Sequence, residues 1–245
     1  MQYMGGKFRQ RRAIADALRP YIDRDTTYVE PFLGGAWSAA YIAEKLKPAN
    51  MILNDINKPL MLLWDRCLRE GCDWLPSYPT REEYEDYKRR QPEDDPLTAF
   101  YGFGFSFGGC WYSSYIKPGT SHNGDQVKSI QRKVDQLKGV PVELHNSDYS
   151  DISIPSGAVV YCDPPYEGRT KAHHFDEFDY TKFWQWVREL SQRCVVVCSA
   201  FVAPEDFVTV YDWGDTVHRY TDGKNTSEYT DGTTEKLIRY EGGLW

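Results

Sequence analysis

Two apolar runs, Ala158-Val159-Val160-Tyr161-Cys162 and Cys194-Val195-Val196-Val197-Cys198, constrain the fold more than any other feature of this chain. Both are rich in β-branched side chains and neither has a polar face. A strand of that kind needs cover on both sides, as in the middle of a parallel sheet. Between them, residues 179–192 carry apolar positions at helical spacing. The same rhythm occurs upstream. TYVE (27–30) precedes a helical stretch over 36–47, and MILND (51–55) precedes another over 58–70, with Leu60, Leu63, Trp64, Cys67 and Leu68 on one face. Strands and helices alternating in this way predict an α/β fold with a mostly parallel sheet covered on both faces. DFVTVYD (206–212) adds a strand, and the last 30 residues, rich in Tyr, Thr and Asp, suggest an antiparallel edge strand or two.

The middle of the chain breaks the rhythm. Residues 71–125 hold five of the fourteen prolines, the stretch REEYEDYKRR and the run FYGFGFSFGGCWYSSY. No parallel strand is evident there. The expected organisation is an α/β domain formed by 1–65 and 130–245, with 66–129 as an inserted small helical subdomain.

A chain of 245 residues can bury a sizeable core, and its 41% hydrophobic and 27% charged residues are ordinary for a globular protein. It contains no run of about 18 apolar residues, the length that spans a membrane, and its start, MQYMGGKFRQRR, lacks the apolar stretch of a signal peptide. Six scattered cysteines form no CxxC pair, which favours buried thiols over zinc or disulfides. The expectation is a soluble cytoplasmic protein without metal. A net charge of −7 argues mildly against a polyanionic partner. The charge is polarised, however, with six basic against two acidic residues in 1–24 and four against nine in 199–245. One face can therefore be basic while the sum is acidic.

Three sites carry chemistry. In TYVEPFLGGAWSAA (27–40) a strand ends, Pro31 and Phe32 turn the chain, and Gly34-Gly35 permit close backbone approach before a helix begins. Such a turn suits an adenosyl ligand lying over the strand ends. Without GxGxxG or a Walker lysine, neither NAD nor ATP is favoured. Asp55 ends the next strand, about 20 residues on, where a carboxylate accepts both ribose hydroxyls; the same residue could also cap the helix that starts near Asn57. The third site is Asp163-Pro164-Pro165-Tyr166, directly after an apolar strand. The prolines fix the backbone, so the Asp163 carboxylate and the Pro164 carbonyl present two acceptors to one point beside an aromatic ring. That arrangement suits a planar amino group on a base, whose nitrogen becomes more nucleophilic as its protons are drawn into hydrogen bonds.

These residues, taken in order, resemble the Dam-type (alpha-group) adenine-N6 DNA methyltransferases: YMGGK at 3–7, VEPFLGGA at 29–36, LNDIN at 53–57, an insertion, then YCDPPY at 161–166. The resemblance implies a Rossmann-like methyltransferase fold with a seven-stranded sheet, S-adenosylmethionine as methyl donor and no metal. By position it places Tyr3, Lys7, Phe32, Gly34 and Asp55 around the donor, Asp148 near its adenine, and Asp163 between donor methyl and target amine. Asp163, Pro164, Pro165 and Tyr166 become the catalytic set, with Tyr166 stacked on an adenine flipped out of a DNA duplex. A monomer is the default expectation.

Two departures stand out. The family's F-x-G-x-G turn reads here as Phe32, Gly34 and Ala36, with Ala36 crowding the donor. In the insertion the family's Asn and Arg base readers give way to Phe103, Gly104, Phe107-Gly108-Gly109 and Tyr112. Direct readout in the major groove relies on Arg, Asn or Gln, so no target sequence carries over. The aromatic residues point either to stacking with relaxed specificity or, for Phe100, Phe103 and Phe107, to the insertion's own core. Arg9, Arg11, Arg12, Lys88, Arg89 and Arg90 are candidates for phosphate contact, and Tyr112 for base contact. His173-His174 suggests either a flap or a solvated loop. Alternative functions are methylation of cytosine N4 or of RNA adenine, and a non-catalytic DNA- or adenosyl-binding regulator.

Overall fold

The computed structural model describes residues 1–117, 119, 125–166, 178–214, 217–222, 225–230 and 234–244, with only the backbone of 217–222 and 225–230. His173-His174 lies outside the described residues. In chain order the elements are α1 (Arg11–Leu18), β1 (Thr27–Glu30), α2 (Trp37–Lys45), β2 (Asn50–Asn54), α3 (Lys58–Glu70), α4 (Arg81–Arg90), α5 (Pro96–Gly104), α6 (Gln126–Leu137), β3 (Val142–His145), β4 (Val159–Cys162), α7 (Tyr180–Leu190), β5 (Val195–Ala200), β6 (Phe207–Asp212), β7 (Val217–Asp222), β8 (Asn225–Thr230) and β9 (Lys236–Tyr240).

Seven strands form one sheet in the order β3-β2-β1-β4-β5-β9-β6. The first five are parallel, with Tyr28 paired to Met51 on one side and to Val159 on the other. β9 runs antiparallel to both β5 and β6. This doubly wound order identifies a Rossmann-like α/β fold, whose direction of winding reverses between β1 and β4. The expected antiparallel strand near the C-terminus exists, but it is wedged inside the sheet while β6 forms the edge. Its sequence, Lys236-Leu237-Ile238-Arg239-Tyr240, buries both Leu237 and Ile238 because it has a strand on each side. β7 and β8 pair separately as a hairpin.

Alternation along the strands sends side chains to two cores. Tyr28, Met51, Leu53, Val159, Tyr161 and Val197 meet the layer that includes α1, α2, α3 and α6. Val29, Ile52, Val160, Cys162, Val196 and Cys198 meet Tyr149 and the α7 residues Phe183, Val187 and Leu190. Caps define the helix starts: Asn57 accepts from the Leu60 amide, Asp125 from Lys128 and Asp179 from Lys182, while Thr80 and Glu83 form a reciprocal capping box.

Helices cross both expected limits of the insertion. α3 continues to Glu70, past residue 65, and α6 begins at Gln126 and packs on α2 and α3. The departure from the α/β rhythm is therefore 71–125. α5 packs on α3, and Phe100 and Phe103 belong to the same apolar cluster as the α2 and α3 residues.

Candidate active site

The ends of β1, β2 and β4 open into one cleft of about 720 Å³, a size suited to a small-molecule site. It lies at the switch point between β1 and β4, where such sheets leave a crevice. Tyr3, Lys7, Phe32, Gly34, Asp55, Asp148, Asp163, Pro164, Pro165 and Tyr166 all line it. The residues picked out for the donor and for catalysis, 163 positions apart at the extremes, thus converge on one volume.

Backbone geometry explains the glycine turn. Gly34 has φ +47°, and a Cβ there would lie 2.7 Å from a Tyr3 ring carbon. The Gly34 amide donates to Asp55 Oδ2 (2.8 Å) and the Asn57 amide to Asp55 Oδ1 (3.0 Å). Asn57 itself caps α3, so Asp55 ties the turn after β1 to the end of β2 and keeps further lone pairs for a ligand. Burial raises its pKa, and the two amides oppose that. Ala36, where the resemblance has glycine, adopts the left-handed conformation (φ 54°, ψ 31°) and is fully buried. The chain has kept the backbone shape without the residue that adopts it freely.

Two side chains absent from the sequence expectation hold this turn from behind. Trp64 Nε1 donates to the Gly34 carbonyl (3.1 Å), and Lys133 Nζ to the Gly35 carbonyl (2.6 Å). Lys133 is completely buried, with its ammonium 4.2 Å from the Trp37 ring centroid, and burial lowers its pKa to about 7. A lysine in an amphipathic helix gives no sequence sign of facing inward. Glu30, at the end of β1, was missed for the same reason. It accepts from Tyr28 (2.8 Å) and from Ser38, and burial pushes its pKa up to about 8.

At the end of β4 the cleft holds a network of four side chains. Asp163 Oδ1 receives Lys7 Nζ (2.8 Å) and the Tyr166 hydroxyl (2.6 Å). Glu235 Oε1 receives the same two groups, at 3.1 and 2.8 Å. The third Lys7 proton goes to the Gly5 carbonyl (3.0 Å). Burial raises the Asp163 pKa most, Lys7 opposes this, and Glu235 adds to it. Burial works against the Lys7 ammonium, but Asp163 and Glu235 outweigh it and raise its pKa. Glu235 precedes β9, in a tail that carries no recognisable motif, so only the fold reveals it.

Elsewhere the sequence expectations meet different surroundings. Tyr112, expected to contact nucleic acid, is 4% exposed; its hydroxyl donates to the Thr98 carbonyl and its ring packs on Tyr84 and Trp111. It is a core residue, because φ 42° turns the chain back under α5 there. Phe100 and Phe103 are buried too, whereas Phe107 is 64% exposed. Arg11 lies over the Phe8 ring and bonds the Phe8 carbonyl, and Arg12 pairs with Asp16 at 3.7 Å. Arg89 and Arg90 share Asp86, and Lys88 donates to the Ser113 carbonyl (3.0 Å). Arg9 is exposed and lines a shallow groove with Phe107 and Phe8. That groove shares Tyr3, Gly6 and Trp37 with the cleft.

A type II methyltransferase, M.MjaIII of Methanocaldococcus jannaschii, is 23% identical over 188 residues, which is 64% of this chain and 63% of that one. The chain thus spans somewhat under two thirds of its relative. Solved structures with a similar course include the rRNA methyltransferase AviRa of Streptomyces viridochromogenes (TM-score 0.42, 14% identity, 96% of this chain and 84% of that one). An rRNA methylase of Streptococcus thermophilus is another (TM-score 0.38, 7% identity, 92% of each chain). Both likenesses are weak, and the fold assignment rests on strand order and direction. The family model described as D12 class N6 adenine-specific DNA methyltransferase matches residues 3–94 and 108–202, which include every motif around the cleft. The chain belongs to the D12 class N6 adenine-specific DNA methyltransferase family.

Proposed function

We propose that this protein transfers a methyl group from S-adenosylmethionine to the N6 amino group of adenine in DNA. The observation that carries this reading is the convergence of Asp163-Pro164-Pro165-Tyr166 and the Gly34–Asp55 turn on one cleft. Bound there, the donor supplies a methyl group on a positively charged sulfur. The cradle fits an adenosyl group: Asp55 offers acceptors to the ribose, Phe32 and Tyr149 form an aromatic wall, and Gly34 lets the turn pack directly on the Tyr3 ring. Asp148, beside Lys182 (3.4 Å), stands where the donor's adenine would end.

Asp163 Oδ2 takes no hydrogen bond from any described residue. It is available to accept from the target amine and to stabilise positive charge as the nitrogen is alkylated. The Tyr166 ring, held edge-on by Phe201 at 4.9 Å, supplies a stacking surface. Little base strength is needed, because the amine sheds its proton readily once alkylated. The main contribution is positioning. A duplex adenine has to leave the stack to reach this depth, at a cost of a few kcal/mol. The groove with Phe107 and Arg9 adjoins the cleft and offers an aromatic ring and a cation to a nucleic acid. Its turn is latched to the donor segment by the Met4 amide and the Gly109 carbonyl (3.0 Å).

The test is incubation of the purified protein with donor and unmethylated mixed-sequence DNA, followed by digestion to nucleosides and mass spectrometry. N6-methyladenine, absent with D163A, is the expected product. Methylated cytosine, or methylation of RNA alone, would replace this reading with the corresponding activity. Donor binding without any methylated nucleoside would leave a regulator.

A further inference from the structure

Glu235 lies outside the residues that match the family model, yet it touches two members of the methyl-transfer site. Lys7, itself 4% exposed, sits between two carboxylates, so its single charge is divided between them. If Asp163 alone held the ammonium, the pair would be neutral and the carboxylate would have little charge left for the target. With Glu235 present the trio carries a net −1 beside the point where positive charge builds on the amine. Glu235 also restrains the Tyr166 hydroxyl from the far side. Both Lys7 and Tyr166 meet Asp163 at Oδ1, and among the described residues none bonds to Oδ2.

We propose that Glu235 is a positioning residue for methyl transfer, drawing Lys7 and Tyr166 partly off Asp163 so that the ammonium does not fully neutralise the Asp163 carboxylate and the Oδ2 edge is left for the target amine. The proposal rests on the reading of the site as an amine methyltransferase. Its surroundings agree. The groups facing Glu235 are Lys7 and Gln10 from the N-terminal segment (Gln10 at 3.4 Å from Oε2) and Asp163 and Tyr166 from the end of β4. Tyr161 on β4 and Glu30 on β1 lie close to the same cluster: burial raises the pKa of each, Asp163 adds to both, and Glu235 adds to that of Tyr161. Burial raises the Asp163 pKa most, Lys7 opposes it, and Glu235 adds to the rise, as a second carboxylate does by disfavouring ionisation of its neighbour.

The experiment measures single-turnover methylation of unmethylated duplex DNA against pH for the wild-type chain, E235Q and E235D, with donor affinity measured separately. For E235Q the expected result is a ten- to hundred-fold lower plateau rate, donor affinity within two-fold of wild type, and an acid limb moved to lower pH. The limb moves because the neighbouring negative charge that holds the Asp163 pKa up has gone. E235D, which retains the charge, should recover most of the rate and return the acid limb towards its wild-type position. An unchanged E235Q rate would overturn the proposal, as would a slower rate with an unmoved acid limb, which would mean that Glu235 merely braces Tyr166. A rate loss explained wholly by weaker donor binding would also overturn it. A wild-type chain that methylates neither DNA nor RNA refutes the functional reading itself and takes this inference with it; an active wild type with an equally active E235Q removes this inference alone.

Discussion

The cleft at the strand ends and the segment 71–125 are built from opposite kinds of side chain. The cleft walls enclose ionisable groups: Lys7, Glu30, Asp55 and Lys133 are buried, and Asp163 is nearly so. Burial moves the pKa values of Glu30, Lys133 and Asp163 towards the neutral form. The insertion buries rings instead, and several of their polar tips have partners. Tyr84 meets the Ser106 hydroxyl (2.6 Å), Tyr87 donates to Asp95 (2.6 Å) and Trp111 to Gln91 (3.0 Å). Its cations stay at the surface in pairs with Asp86. One region therefore spends stability to aim charge at a ligand, while the other gains stability by packing. Sites of catalysis are the usual place for that exchange.

Four substitutions can break or sharpen this contrast. D163A should lower the methylation rate by at least about 10³-fold, the scale of losing a preorganised charged partner, while leaving the melting temperature unchanged or higher. A large fall in melting temperature would mean that the cleft is structural after all. Phe100→Ala, in the insertion, should cost about 3–5 kcal/mol of stability, because the ring is fully buried against Tyr101 and Phe105; denaturant midpoints measure it. Donor affinity at temperatures where the variant is folded should stay near wild type, and its loss would merge the two regions.

Glu30→Gln tests what a buried charge costs. The folded pKa is raised from 4.5 to about 8, so the protonated form is favoured by folding. The stability this contributes is fully present below the unfolded pKa and lost as pH rises towards 8. The variant should therefore gain on wild type by about 4 kcal/mol between pH 5 and pH 9, read from urea midpoints across that range. A difference that does not grow with pH would contradict the account. Ala36→Gly should have the smallest effect, a gain of at most about 1 kcal/mol from relief of the left-handed backbone, offset by loss of a buried methyl group. Its melting curve and donor affinity would show whether the alanine narrows the donor turn.

Much of the fold and site was legible in the sequence because the signals are local. Continuous apolar runs at 158–162 and 194–198 require a covered sheet, and Pro-Pro after Asp163 has few conformations to choose from. Helical spacing over 58–70 and 179–192 led to α3 and α7 directly. The donor turn, Asp55 and Asp163 each end a strand, so parallel strands bring them to one edge of the sheet. Aromatic character, by contrast, did not tell exposed from buried. Tyr112 and Phe107 lie five residues apart in one Gly-rich run, yet only Phe107 reaches the surface. Gly109 matters for a reason that composition hides: a Cβ there would come within 2.8 Å of the Tyr3 backbone nitrogen.

By itself, then, the sequence determined the layered α/β architecture, the order of the motifs and the residues at the strand ends, since each depends on neighbours within a few positions of the chain. The tertiary structure alone decided that β9 enters the sheet between β5 and β6, bringing Glu235 to Lys7 and Tyr166, and that Lys133 turns inward to the Gly35 carbonyl. Those placements join residues roughly a hundred or more positions apart, or 69 in the case of Tyr166 and Glu235. Charge balance and packing between such distant segments exist only once the chain has folded, and no local pattern of residues encodes them.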